Sequence, residues 1–247
     1  MRTTVESFDQ SSRLPEGKRR WIVDTLVPAM PRHEVAQYFR VKHALLNEAA
    51  HLSVASQDGL CAGVAALSGH DLADGRRMAY IETLLVAEAF HQSRTTFRLL
   101  SNVFASWSRQ ESAFPDVVAM RTYNPRTYVL MRKFALEDGA TNFYPALSTP
   151  NVQHEATATL VAVRVAEGHV FEASSGIVLG GSVGVSNGFW HESPSCGDSK
   201  IDTFFYRRMT ANDRLLCFVD TSSCRAKYHA MRKLGLPTPI HNQETTV

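Results

Sequence analysis

Glu82 is the one charged residue in the run Met78 to Val86, where every other side chain is apolar, aromatic or β-branched. A carboxylate in such a strand needs a partner or a cleft to satisfy it. Beside a cleft it can act as a general base. The plainer reading is a strand residue that faces solvent or bridges a neighbouring arginine. After Leu85 and Val86 comes a polar turn, Glu88 to Ser93, and then Phe97, Leu99, Leu100, Val103, Phe104 and Trp107 recur at helical spacing. A strand, a short polar turn and a helix start make an anion site, because the first helical N–H groups lack intrahelical partners. His91, Gln92, Ser93, Arg94, Thr95 and Thr96 would add hydroxyls and a guanidinium to those N–H groups. In the alternative reading, Ser93 or Gln92 is an ordinary helix cap.

Two other signals invite chemistry. Gly180-Gly-Ser182-Val-Gly184 reads Gly-x-Ser-x-Gly behind the apolar Ile177-Val-Leu179, the pattern of a serine-hydrolase nucleophile elbow. That elbow must run into a helix, whereas Asn187-Gly188 and Pro194 follow here, so a glycine-rich loop is the favoured reading. The histidines and cysteines give no Cys-x-x-Cys and no His-Glu-x-x-His, so no metal site is expected.

These residues must be positioned by the elements around them. Residues 1–19 are polar and predict a loose leader; Arg20 to Leu26 predicts a first strand and Pro31 to about Ala50 a long helix. Apolar runs on either side of Asp58-Gly59 predict a hairpin, which leads through Asp74-Gly75 into the strand at 78. Val117 to Thr122 predicts another strand. Asn124-Pro125 predicts the cap and first residue of a short helix to Ala135. Beyond it lie a helix over 152–167, strands at 170–174 and 176–181, and a loop over 182–200. A helix capped by Asp198 or Ser199, a strand over 214–219 and a last helix ending at Gly235 complete the chain.

The strand ending in Val86, with its turn and helix, resembles the central motif of the GCN5-related N-acetyltransferase superfamily. The order helix, three antiparallel strands, helix fits that resemblance, which covers roughly residues 20–137. In the family the turn reads Arg/Gln-x-x-Gly-x-Gly/Ala; counted from Val86, those positions fall on His91, Arg94 and Thr96, with no glycine. Asn124, Leu130 and Lys133 match the family's fourth helix, whose tyrosine position is Met131; Tyr128 lies one turn earlier. The resemblance implies an α/β (α+β) fold with a mixed, mostly antiparallel sheet flanked by helices. It implies Glu82 as the base acting on the acceptor amine and Tyr128 as a candidate proton donor to the departing thiolate. Leu85, Val86, His91, Gln92, Ser93, Arg94, Thr95, Thr96 and Asn124 would hold the donor. That donor is an acyl-CoA or an acyl carrier protein, and the acceptor an amine of a small molecule or a peptide. Residues 20–140 would form the acyltransferase core and 141–247 a helix-and-strand extension, in which the loop with Phe189, Trp190 and His191 would recognise the acceptor.

Composition narrows the classes. The 247 residues are 44% hydrophobic and 20% charged, as in an ordinary globular protein. A net charge of +2 and the short basic run Lys18-Arg19-Arg20 do not predict nucleic-acid binding. No apolar run is long enough to span a bilayer, and no signal-peptide pattern opens the chain. Four scattered cysteines suit a reducing compartment, so cytoplasmic is the expectation. The sequence leaves open a non-catalytic binding module on the same fold, the serine hydrolase using Ser182, and a homodimer.

Overall fold

The computed structural model describes residues 3–9, 14–42, 45–91, 93–137, 142–147, 151–181 and 193–238. Ser182 and the loop bearing Phe189, Trp190 and His191 lie outside the described residues, as does Gln92. One sheet organises the rest. Its strands are β1 (Thr4–Asp9), β2 (His51–Gln57), β3 (Leu60–Asp71), β4 (Arg77–Val86), β5 (Val117–Thr122), β6 (Phe143–Tyr144), β7 (Val170–Glu172), β8 (Ile177–Leu179) and β9 (Arg214–Asp220). They lie in the order β1-β2-β3-β4-β5-β9-β8-β7, with the two-residue β6 also paired to β9. Among the described residues only β4 and β5 run parallel; every other described pair is antiparallel.

Local chemistry explains the joints. Asp58 (φ 53°) and Gly59 (φ 80°) close the β2–β3 hairpin with two left-handed residues, as a tight hairpin turn requires. The uninterrupted apolar run of β9 suits its place between β5 and β8, where it is covered on both faces. Helices α1 (Glu16–Leu26), α2 (Val35–Val41) and α3 (Leu45–Glu48) cover one face over β2 to β4, and α6 (Glu155–Val165) covers the same face over β4 to β9. On the opposite face lie α4 (Thr95–Gln110), α5 (Pro125–Arg132), α7 (Ser199–Arg208) and α8 (Cys224–Lys233). The helical cover of the first face is thus in two parts, α1 to α3 over β2, β3 and the Leu85 end of β4, and α6 over the paired ends of β4 and β5 and on to β8 and β9.

Three expectations change. The polar start is not a loose leader over 1–19: Thr4–Asp9 forms the edge strand, tied by Ser7 Oγ donating to Asn102 Oδ1 and by Arg98 Nη1 donating to the Thr3 carbonyl at 3.2 Å. Residues 20–26 are helical rather than extended, because Ile22 and Leu26 sit one turn apart and bury together against the sheet. The single helix expected over 31–50 is two short ones. The hairpin, the strand at 78, the helix at 95, the strand at 117 and the helix capped by Asn124 form as expected. Asn124 Oδ1 accepts from the Arg126 N–H at 2.9 Å with Pro125 at the first helical position. Residues 141–247 supply β6 to β9, which continue the same sheet. No helix among the described residues is long and apolar enough to cross a membrane.

Candidate active site

The cleft comes from a sheet that fails to close. β4 pairs with β5 over three residues only, Met78 to Tyr80 against Val117 to Ala119. Beyond Tyr80 the strands part, and the edge of β4 facing β5 is left without a strand partner among the described residues. The gap is a cleft of 890 Å³, walled by Tyr80 and Glu82 to Val86 of β4 and by Met120 to Asn124 with the start of α5. Residues from the α1–α2 connection and α2 form a further wall, and Ser193 to Cys196 another.

Glu82 sits where β4 bulges. Thr83 pairs with Ala66 and Ile81 with Leu67, so Glu82 opposes no residue and is swung out of the ladder. Its Oε1 accepts from Ser68 Oγ at 2.8 Å, and Lys42 Nζ is 3.4 Å from Oε2. Since Ser68 gives its proton to a carboxylate that can only accept, the His70 Nε2 that lies 2.9 Å from Ser68 Oγ must be the donor there. Burial lowers the His70 pKa, with Glu82 opposing, which favours the neutral ring. The carboxylate is therefore held at two points and still reaches the cleft, with a quarter of its side chain exposed.

The turn after β4 rounds its corner without glycine. A 3₁₀ turn, Glu88–Phe90, carries it, and no described residue there has a positive φ. Ser93 Oγ accepts the Thr95 N–H at 3.1 Å from just before Arg94, the residue at the α4 cap position, which makes no side-chain cap bond. Ser93 also lines the cleft. His91 Nε2 lies 2.8 Å from the Val86 carbonyl; a carbonyl only accepts, so that nitrogen carries the proton. Glu88 ties the turn to the α1–α2 connection, accepting from the Arg32 N–H at 3.0 Å and Nε at 2.8 Å, and pairing with His33 Nδ1 at 3.1 Å. Burial pushes the Glu88 carboxyl up, but the bonds from Arg32 and His33 outweigh it and hold it below the usual carboxylate range.

Of the residues singled out from sequence, Glu82, Leu85, Val86, His91, Ser93, Thr96 and Asn124 line one cleft. Thr95 is buried beneath the turn and Arg94 is not part of the lining. Tyr128 is placed elsewhere. Its ring packs against Phe143 and Phe205 in the core, its hydroxyl donates to the Pro145 carbonyl at 2.9 Å, and it is outside the cleft lining. The structure therefore corrects its expected position: the helix forms, but the tyrosine side faces the core.

The lining also holds residues the sequence reading passed over. Tyr38 of α2 hydrogen-bonds Thr83 of β4. Tyr80 OH accepts from Arg121 Nε at 3.0 Å. Arg214, which opens β9, donates from Nη1 to the carbonyls of Ala211 (2.9 Å) and Asp213 (2.6 Å). The signal that could have found Arg121 is the one that found Glu82, a lone charge in an apolar strand. Asp213 fixes the turn that delivers Arg214, accepting from the Thr210 N–H (2.7 Å), Thr210 Oγ1 (2.8 Å) and the Gly180 N–H (3.0 Å). Burial raises the Asp213 pKa, but these bonds prevail and hold it low. Its stabilisation is then fully present above the unfolded value, about 4, and fades as pH falls through the lower folded value. Asp213→Asn is expected to flatten the loss of Tm between about pH 4 and more acid solution; an unchanged acid limb would contradict this role.

No protein-family profile matches the chain, and no curated protein matches it. Among solved structures it is similar to N-acetyltransferases. With the NatC complex bound to Gag peptide and CoA the identity is 12%, over 49% of this chain and 75% of that one, at a TM-score of 0.35. With Escherichia coli ElaA the identity is 11%, over 59% and 89%, at 0.41. With N-acetylglutamate synthase from Neisseria gonorrhoeae, complexed with coenzyme A and N-acetyl-glutamate, it is 16%, over 64% and 32%, at 0.37. The fold of this chain is mixed α/β with a mostly antiparallel sheet flanked by helices, in the element order the acetyltransferase resemblance implied.

Proposed function

We propose that this chain is an acyltransferase that moves an acyl group from a thioester, an acyl-CoA or an acylated carrier protein, to an amine of a small molecule or peptide. The observation that carries this reading is the parting of β4 from β5, with a carboxylate at the bulge on one wall. The free edge of β4 can bond an extended, amide-bearing donor arm as it would an added strand. The donor's phosphates would then lie towards the start of α4, where Ser93 and Thr96 line the cleft and helical N–H groups point outward. Arg126 and Lys133 on the facing wall add positive charge.

In the reaction, Glu82 takes a proton from the acceptor's nitrogen, and the freed lone pair attacks the thioester carbonyl. A C–N bond forms and main-chain N–H groups of β4 stabilise the intermediate oxyanion; as it collapses the C–S bond breaks, and the thiolate leaves and takes a proton from water in the open cleft. The sparse cysteines suit a reducing compartment, and we place the protein in the cytoplasm.

Acetyl-CoA, longer acyl-CoAs or free CoA are expected to raise Tm, since a ligand of the folded state at 100 times its Kd stabilises by ~2.7 kcal/mol. The rise should shrink when Arg126 and Lys133 are both replaced by Ala. No rise with any CoA would sink CoA-dependent transfer. One observation favours a second reading, a binding module without catalysis: the tyrosine of α5 faces the core and cannot protonate a thiolate in the cleft. A rise in Tm with no release of free thiol would select it.

A further inference from the structure

Glu82 is the inner end of a row of hydrogen bonds that leads out of the cleft. Ser68 Oγ lies 2.8 Å from Glu82 Oε1 and 2.9 Å from His70 Nε2. Ser68 and His70 stand two apart on β3, so they share a face of the sheet, and the His70 ring meets the Tyr80 ring edge-on at 6.2 Å. Glu82 lines the cleft, whereas neither Ser68 nor His70 is part of its lining. The His70 ring is half-buried. Its Nδ1 has no hydrogen-bond partner among the described residues and is not shut off from water. The row therefore starts at the candidate base and ends on a ring that meets solvent outside the cleft.

The groups along it suit the passage of a proton. A serine hydroxyl accepts and donates at once, and a neutral imidazole accepts on one nitrogen and donates from the other. Burial lowers the His70 pKa; Glu82 and Asp71 oppose it and Arg164 of α6 adds to it, so the ring is neutral in neutral solution. The other neighbour of the carboxylate, Lys42 beside Oε2, is a cation with donors only and takes no proton. A proton does have to leave. An amine in neutral water carries an extra proton. On becoming an amide it sheds two, of which the departing thiolate balances one, so every turnover leaves one over. Glu82 must lose it before it can serve the next acceptor.

We propose that Ser68 and His70 are the route by which the proton taken up by Glu82 reaches solvent. Glu82 passes its proton to Ser68 Oγ, the Ser68 hydrogen passes to His70 Nε2, and the hydrogen on Nδ1 goes to water. The hydrogens then stand as in the resting geometry, with Nε2–H on Ser68 and the Ser68 hydroxyl on an ionised Glu82. Exchange with water returns the ring to its Nδ1–H form before the next turnover. This inference rests on the transfer reading. Both residues act through Glu82 and touch no substrate, so they are positioning residues for its proton.

The test uses the full chain with acetyl-CoA and three amines: a peptide with a free α-amine, lysine amide and an aminoglycoside. NMR of isotopically labelled histidine rings reads the row without substrate. The His70 Nε2 signal should be that of a protonated nitrogen and should move in both Ser68→Ala and Glu82→Gln. Each of Ser68→Ala and His70→Ala is expected to lower kcat by about 10- to 100-fold, less than loss of the base itself, with KM kept. The double variant should lose no more than Ser68→Ala alone, because the two act in series. Imidazole in the buffer should restore part of the rate of His70→Ala, and heavy water should slow both variants more than the wild type. A row that only props the carboxylate would give neither effect. Circular dichroism and the Tm rise with CoA check the fold. Full kcat in either variant would mean that Glu82 sheds its proton to water in the cleft, and overturns the route while Glu82→Gln still judges the transfer reading. Additive losses, or no imidazole rescue, overturn it as well. No thiol release from the wild type with any of the three amines overturns the transfer reading and the route with it.

Discussion

Glu82→Gln is expected to lower kcat by about 10²- to 10⁴-fold, the range of a general base, with little change in the Tm rise produced by acyl-CoA. Glutamine keeps an oxygen to accept from Ser68 Oγ, so the bulge should survive and the loss should report proton transfer. Retention of full kcat in Glu82→Gln would show that the carboxylate merely anchors Lys42 and Ser68.

Phe218→Ala is expected to cost about 3–5 kcal/mol, the usual loss for a large aromatic removed from a core. Phe218 is fully buried on β9 and stacks on Tyr144 with ring centroids 5.0 Å apart. Its strand joins β5 to β8, so the damage should appear in the whole sheet. Chemical denaturation followed by tryptophan fluorescence should show one shifted transition, since Trp21 and Trp107 report from before residue 140 and Trp190 from after it. Two separated transitions would mean that the residues after 140 unfold as a unit of their own.

Much of the fold was legible because the deciding interactions are local. The β2–β3 turn is written in Asp58-Gly59, the α5 start in Asn124-Pro125, and the buried strands in unbroken apolar runs. What escaped depends on distant partners. Trp21-Ile22-Val23 favours a strand by residue type, yet the sheet selects the helical spacing of Ile22 and Leu26. β1 has little apolar content and joins the sheet through its backbone and through Asn102 and Arg98 on α4. Tyr128 shows the same limit within a helix, for its rotation is set by Phe143, Pro145 and Phe205, which local spacing cannot reveal.

The candidate site divides in the same way. Glu82, His91, Ser93, Thr96 and Asn124 belong to one continuous stretch around β4, α4 and α5, and their types stood out in sequence. Arg121 and Arg214 meet only because β9 returns beside β5. Ser68 and His70 reach Glu82 across a strand pair whose register shifts at the bulge. Glu82 and Arg121 share one mark, a single charge within an apolar run.

The place of β9 also bears on how the protein is born. During synthesis β1 to β5 leave the ribosome well before residues 214–220, so the outer edge of β5 waits bare while helices on both faces gather. An unpaired apolar edge is what invites sticking between nascent chains. The late insertion of β9 covers that edge and, through Arg214, finishes the cleft in one act. A chain stalled before that strand would have Glu82 but an unfinished pocket around it.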